Sequence, residues 1–320
     1  MLHILVGDSV ERTAGQCLWS SLDFVMHKLQ RFIMNRSLAT VLLTIFVSLS
    51  SLRASEPFPD DTKTGGFAIG CQAWCFRLFT VFEAIDKTAE TGSKVIEFGT
   101  TQKLSPEEPA VTFNHNATPE VIAKVKAKLA ERHLTPVAYG VVAIPQDEAK
   151  ARVIFEFAKA LGLRVINTES SDAIDTIEKL VKEYDIKVGF HDHPKNPNKP
   201  EYRMWDPNYV LSLVKDRDPR IGSCADTGHW QRSGLQPVDC LRILKGHIVA
   251  CHLKDLNVFD RDGHDVPFGT GDGNVKGVLD EFKAQGFVGP ISVEYEYNWN
   301  GNVPEIKQCI DFVRAYGEKK

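Results

Sequence analysis

The stretch GFHDHP, residues 189–194, sets two histidines and an aspartate in consecutive positions at the end of an apolar run, DIKVGF. A strand alternates its faces, so His191 and His193 share one face and Asp192 takes the other. Two imidazoles on one face of a strand end can hold a metal ion. They can equally be a polar stop where a strand meets solvent. Other apolar runs close on groups of the same kind. One ends near Glu97, one at Glu169, one at Asp226 with His229 beyond it, one at His252 and Lys254, and one at Glu294 and Glu296. The same-face positions just below are small: Gly189 below His191, Cys224 and Gly222 below Asp226, Ala250 below His252, and Ser292 below Glu294. Small residues there leave room for polar side chains to converge. Carboxylates and imidazoles on four successive strands are costly to bury unless something such as a metal ion compensates them.

Such groups act together only if a scaffold brings their strand ends to one place. From residue 66 onward, short apolar runs alternate with amphipathic helical patterns. The strand-like runs are FAIGCQAW, KVIEFG, TPVAYGVV, RVINTES, KVGFHDHP, IGSCADTGHW, IVACHLKD and PISVEYE. Helices are expected over 81–91, 119–132, 146–161, 174–184, 207–215, 237–244, 275–285 and 304–316. Thr118 before Pro119 and Asp206 before Pro207 each place a capping side chain ahead of a proline at the first helical position. Alternating strands and helices in these numbers predict an α/β fold, a single closed parallel (β/α)8 TIM barrel. A doubly wound open sheet is the alternative, but no Gly-rich phosphate loop follows the first strand. In a barrel of this kind the functional groups gather at the C-terminal ends of the strands, where the polar residues above fall. The GTGDG stretch at 269–273 resembles a phosphate cradle only weakly, and its glycines read better as shaping a turn before the next helix.

The bulk numbers suit a globular chain: 320 residues, 43% hydrophobic, 25% charged, net charge −4. The negative balance argues against a nucleic-acid partner, which would need a basic face. Of seven cysteines, six follow residue 54; no CxxC pair or other zinc-finger spacing is present, and they read as small buried hydrophobes rather than a disulfide framework. The N-terminus stands apart. From Met34, a basic Arg36 precedes an apolar run from Leu38 to Leu52, then small Ala54 and Ser55. This is the pattern of a secretory signal peptide, with an uncut membrane anchor as the alternative. Residues 1–33 are either a long basic lead to it or the product of an early start codon. The expected organisation is an N-terminal extension and signal over 1–54, then the barrel over 55–320. The expected location is exported, periplasmic or extracellular, with no stable membrane insertion after cleavage.

The run IGSCADTGHW, then ACHLKD, then ISVEYE resembles the xylose isomerase-like TIM-barrel superfamily, over roughly residues 66–316. That group includes sugar epimerases such as tagatose 3-epimerase, inosose dehydratase, 3-dehydroshikimate dehydratase and endonuclease IV. The resemblance implies one divalent ion held at the ends of strands 5 to 8, commonly by Glu, Asp, His and Glu. On this chain the last three fall on Asp226, His252 and Glu294, and the strand-5 position falls on His191. The ion would be Mn, Co or Zn. The implied substrate is a small sugar or keto-sugar. The implied reaction is isomerisation or epimerisation by proton abstraction beside a metal-bound carbonyl, through an enediolate. Glu294, Glu169, His193 and Lys254 are the candidates for catalysis; His229, Glu97, Trp230, Arg232 and Glu296 are those for substrate binding, with Trp230 and Arg232 on the loop after His229. In the epimerases the strand-5 and strand-8 glutamates exchange protons on opposite faces of the substrate. Here strand 5 offers imidazole, which leaves room for a one-base lyase or dehydratase acting on a keto-sugar, keto-glycoside or keto-cyclitol. A sugar-binding protein without turnover is the remaining reading. Endonuclease activity would need more metal ions and a basic surface.

Overall fold

The computed structural model describes residues 57–318. The expected signal segment and residues 1–33 lie outside them. No helix among the described residues is long and apolar enough to cross a membrane. Eight parallel strands close into a barrel in sequence order: β1 Ile69–Gln72, β2 Val95–Phe98, β3 Thr135–Tyr139, β4 Val165–Thr168, β5 Lys187–His191, β6 Ile221–Asp226, β7 Ile248–Leu253 and β8 Ile291–Val293. β1 pairs with β8, so no edge is left open.

The helices form where their caps and apolar faces demand. α1 (Val81–Glu90) opens on a capping box, Thr80 accepting from the Glu83 amide and Glu83 from that of Thr80. α2 (Pro119–Glu131) begins on Thr118 and Pro119, as its sequence requires. α3 (Glu148–Leu161) stops at Gly162 with φ +79°, a left-handed cap that glycine adopts without strain. α4 (Ile174–Tyr184), α5 (Pro207–Val214), α7 (Pro237–Ile243), α8 (Val275–Gln285) and α9 (Val303–Glu318) complete the outer ring. One expectation is corrected. Residues after Asp226 form a short helix, α6 (Thr227–Arg232), rather than a loop, because the Asp226 side chain accepts from the His229 amide and starts a helical turn.

The barrel interior is stratified. Inward positions Ala68, Val95, Ala138, Val165, Cys224 and Ala250 pack with Phe58 as an apolar base. Above them Gln72, Glu97, Asn167 and Ser292 form a polar layer, all of them buried. The top layer holds His191, Asp226, His252 and Glu294. The room that Gly189 leaves is taken up by its neighbours, the polar Asn167 among them. A Cβ on Gly189 would stand 2.8 Å from Asn167 Oδ1 and 2.9 Å from the Cys224 Cβ, so the glycine is needed because its neighbours already fill the place.

Candidate active site

Strand register sets the cluster. Asp226 and His252 are partners across β6 and β7, and His252 faces Ser292 across β7 and β8. His191 Nε2 lies 3.1 Å from His252 Nδ1 and 3.5 Å from Asp226 Oδ2. His252 Nδ1 is 3.2 Å from Glu294 Oε2 and 3.9 Å from Asp226 Oδ2. One ligand atom from each of the four residues falls within 4.8 Å of the others, and all four residues are buried. Donors of a tetrahedral shell with bonds of about 2.1 Å stand about 3.4 Å apart, so the spacing and the two-nitrogen, two-oxygen donor set fit a divalent ion.

What lies beneath aims the donors. Glu97 was expected to touch substrate; it sits instead under His252 with its carboxylate engaged by the protein. Its oxygens are 3.1 Å from His252 Nε2, and it accepts from Asn167 Nδ2 at 2.8 Å and Ser292 Oγ at 2.6 Å. A proton held on Nε2 by Glu97 leaves Nδ1 with its lone pair toward the cluster. Asp226 is divided in the same way. Its Oδ1 accepts the His229 amide at 2.8 Å, which leaves Oδ2 for the cluster. Its own amide donates to Asp192 Oδ1 at 2.9 Å. Burial and the Asp226 charge hold the Asp192 carboxyl well above the usual carboxylate range.

The sequence DTGH and the later HLKD are two halves of one device. Thr227 Oγ1 accepts from the Lys254 amide at 2.9 Å and donates to the Lys254 carbonyl at 3.1 Å. Gly228 gives the lysine its path, since a Cβ there would lie 2.6 Å from Lys254 Cδ. The ammonium reaches Asp226 Oδ2 at 2.8 Å, Glu294 Oε2 at 2.6 Å and Glu296 Oε2 at 3.0 Å. Burial opposes its charge, but those carboxylates outweigh burial and hold Lys254 well above the usual range. The same balance runs the other way at Glu294. Burial opposes ionisation, yet Lys254 and His252 keep its carboxyl well below the usual range. Asp255 accepts the amides of Gly269, Gly271 and Gly273 at 2.8, 3.1 and 2.8 Å. The GTGDG turn therefore cradles a carboxylate of this chain, as its turn-shaping reading required.

His229 and His193 stack at 5.0 Å over the cluster. Burial holds His229 well below the usual imidazole range despite Asp226, so it is neutral. Arg232 approaches His229 Nδ1 at 3.3 Å, and pairs with Glu296 at 3.3 Å and Asp265 at 3.2 Å. His193 Nδ1 lies 2.5 Å from Glu169 Oε1, which also accepts from the Tyr202 hydroxyl at 2.8 Å. Tyr202 in turn accepts the His193 amide at 2.8 Å. His191 keeps Nδ1 3.7 Å from the same Glu169 oxygen. Burial disfavours charge on His191, but Asp226 and Glu169 outweigh it and raise it to about 9.

Trp230 is corrected as well. It is 1% exposed and part of the hydrophobic core, facing away from any substrate. The sequence reading missed Asp192, Asn167, Tyr202 and Asp265. Asp192 lay in plain view inside HDH, and its strand parity alone pointed it away from the cluster. The six described cysteines are all buried and free. A cavity of 570 Å³ bounded by His115, Ile144, Lys150 and Asp172 shares no residue with the cluster.

A closed barrel whose C-terminal mouth carries a buried His–Asp–His–Glu cluster belongs to the class of (β/α)8 proteins built for chemistry at strand ends. More narrowly, the chain belongs to the xylose isomerase-like TIM-barrel family, whose model matches residues 85–316. No curated protein matches it. Among solved structures, it resembles an uncharacterised protein from Parabacteroides distasonis at 31% identity and TM-score 0.63, over 78% of this chain and 98% of that one. A D-tagatose 3-epimerase-like protein shares the fold at 19% identity and TM-score 0.60, over 78% and 97%. An L-ribulose 3-epimerase shares it at 15% identity and TM-score 0.56, over 78% and 94%.

Proposed function

We propose that this protein is an exported, divalent-metal-dependent sugar isomerase or epimerase that moves a proton on the carbon next to a carbonyl. The observation that carries the reading is the cluster of His191, Asp226, His252 and Glu294, flanked on two sides by groups able to exchange protons. When bound, a divalent ion supplies a Lewis acid that polarises a sugar carbonyl and acidifies its neighbouring C–H. The strand-4 and strand-5 wall holds His193, with Nδ1 fixed by Glu169 and Glu169 fixed by Tyr202, so its Nε2 is the atom left to take a proton. The strand-7 and strand-8 wall holds Glu294 as the second carboxylate. Lys254 is placed to stabilise developing negative charge and His229 to bind a hydroxyl. The oriented Glu169–His193 pair supports the two-sided reading by restoring a base next to strand 5, where the ligand is itself imidazole.

The second reading is elimination from a keto-glycoside. It is supported by the buried Lys254 ammonium, 3.0 Å from Glu296, a fixed positive charge beside the site that could stabilise a departing oxyanion. One experiment tests both. Ketoses and keto-glycosides are incubated in deuterated water with Mn, Co or Zn and followed by NMR. Deuterium at the carbon beside the carbonyl, slowed at least tenfold by His193→Gln or Glu169→Gln, is expected for isomerisation or epimerisation. Release of the glycosidic group decides for elimination. Turnover in which hydrogen moves wholly within the substrate would refute the proton-transfer mechanism. Export is tested by the N-terminus of the native protein, expected between Ala54 and Pro57.

A further inference from the structure

The mouth of the barrel has a further wall, made by the segments that follow β1 and β8. Trp74 is half-buried, with Nε1 donating to Glu296 Oε1 at 3.3 Å. The Arg77 guanidinium lies against two indoles, 3.9 Å from the Trp299 ring centroid and 5.1 Å from that of Trp74. Two positions before Trp299 in the same segment, Tyr297, 46% exposed, stacks on His264 at 4.3 Å. The wall is continuous with the cluster, because Glu296 also meets Lys254 at 3.0 Å, and Lys254 touches Asp226 and Glu294.

A ring cluster kept only for packing would bury its faces and pair its polar edges. This one pairs a polar edge only at Trp74, whose Nε1 donates to Glu296, and leaves much of its surface open. Arg77 and Tyr297 are exposed and Trp299 is partly so. Among the described residues, the Arg77 guanidinium N–H groups, the Trp299 indole N–H and the Tyr297 hydroxyl have no hydrogen-bond partner, while the Arg77 amide donates to the Trp74 carbonyl at 3.0 Å. Flat aromatic faces match the C–H face of a pyranose, and free donors at their edges match its hydroxyls. The stacked guanidinium stiffens the platform and adds planar donors.

We propose that this wall binds a second sugar ring, so that the substrate is a glycoside of at least two rings, with one ring at the cluster and the other on Trp74, Arg77, Trp299 and Tyr297. The inference rests on the sugar reading above and narrows it. The test uses the manganese-loaded full chain and calorimetric titration with D-glucose, D-fructose, cellobiose, maltose and sucrose. At least one two-ring sugar is expected to bind about tenfold tighter than its component rings, a difference of about 1.4 kcal/mol. Trp299→Ala should remove that advantage and leave one-ring affinity unchanged, while Trp299→Phe keeps most of it. One-ring binding with no two-ring advantage overturns the inference and spares the sugar reading. So does an advantage that survives the combined Arg77→Ala and Trp299→Ala changes. Binding of no sugar of either size overturns both.

Discussion

Replacing Lys254 with methionine tests the electrostatic account of the site most directly. The side chain is fully buried, and its ammonium is the cation shared by Asp226, Glu294 and Glu296, at 2.8, 2.6 and 3.0 Å. Methionine fills the channel beside Gly228 and removes only the charge. The carboxylates are then left facing one another in a site shielded from water. Removing one partner of a buried ion pair costs about 3–5 kcal/mol. For a barrel of this size each kcal/mol lowers Tm by roughly 2–4 °C, so the metal-free variant should melt some 6–20 °C below the metal-free parent. A divalent ion bound by the folded state alone adds about 4 kcal/mol at a thousandfold excess over its Kd. Manganese or zinc should therefore raise Tm more in Lys254→Met than in the parent, since the ion no longer competes with an ammonium for Asp226 Oδ2 and Glu294 Oε2. The assay is thermal unfolding by calorimetry after chelation, then with added ion. A chelated variant melting within about 2 °C of the parent would refute the reasoning, since a buried carboxylate group left without its cation has to cost more.

Three further outcomes follow from the same geometry. Asp226→Asn keeps an N-cap for α6 but loses a ligand charge, so the protein should stay folded while bound metal, read by elemental mass spectrometry, falls sharply; full occupancy in an Asp226→Asn, His252→Ala double variant would disprove the ligand set. Glu97→Gln touches no ligand position yet frees His252 to change tautomer, so calorimetric titration should show metal affinity down about 10–100-fold. Gly189→Ala drives a methyl into Asn167 and Cys224, and denaturant unfolding should show a loss of about 1–3 kcal/mol from overpacking; an unchanged midpoint would mean the polar layer under the cluster is loosely packed.

Much of the site was legible because strand parity is local. Alternation placed His191, Asp226, His252 and Glu294 at strand ends above small residues on the same face, since successive side chains on a strand point to opposite faces whatever the strand's neighbours are, and the resemblance to the xylose isomerase-like family joined them into one set. Element type was legible for a related reason. The apolar periods of the runs and of helices such as 174–184 and 275–285 are carried by adjacent residues, and the structure gives both helices those bounds.

What the tertiary structure alone decided is which strand ends meet across the barrel. Glu97 and His252 are 155 positions apart on strands that are not neighbours, and only closure of the barrel turns Glu97 from a substrate contact into the group that orients an imidazole. Trp230 reads as a loop aromatic until the Asp226 cap winds its segment into a helix, which rotates the indole into the core. Tyr202 has no local pattern at all, because its partners Glu169 and His193 reach it through a loop whose path is set by packing rather than periodicity. Sequence fixes the direction of a side chain relative to its own strand. Its partners depend on distances between segments far apart in the chain, and those are settled by the packing of the whole barrel.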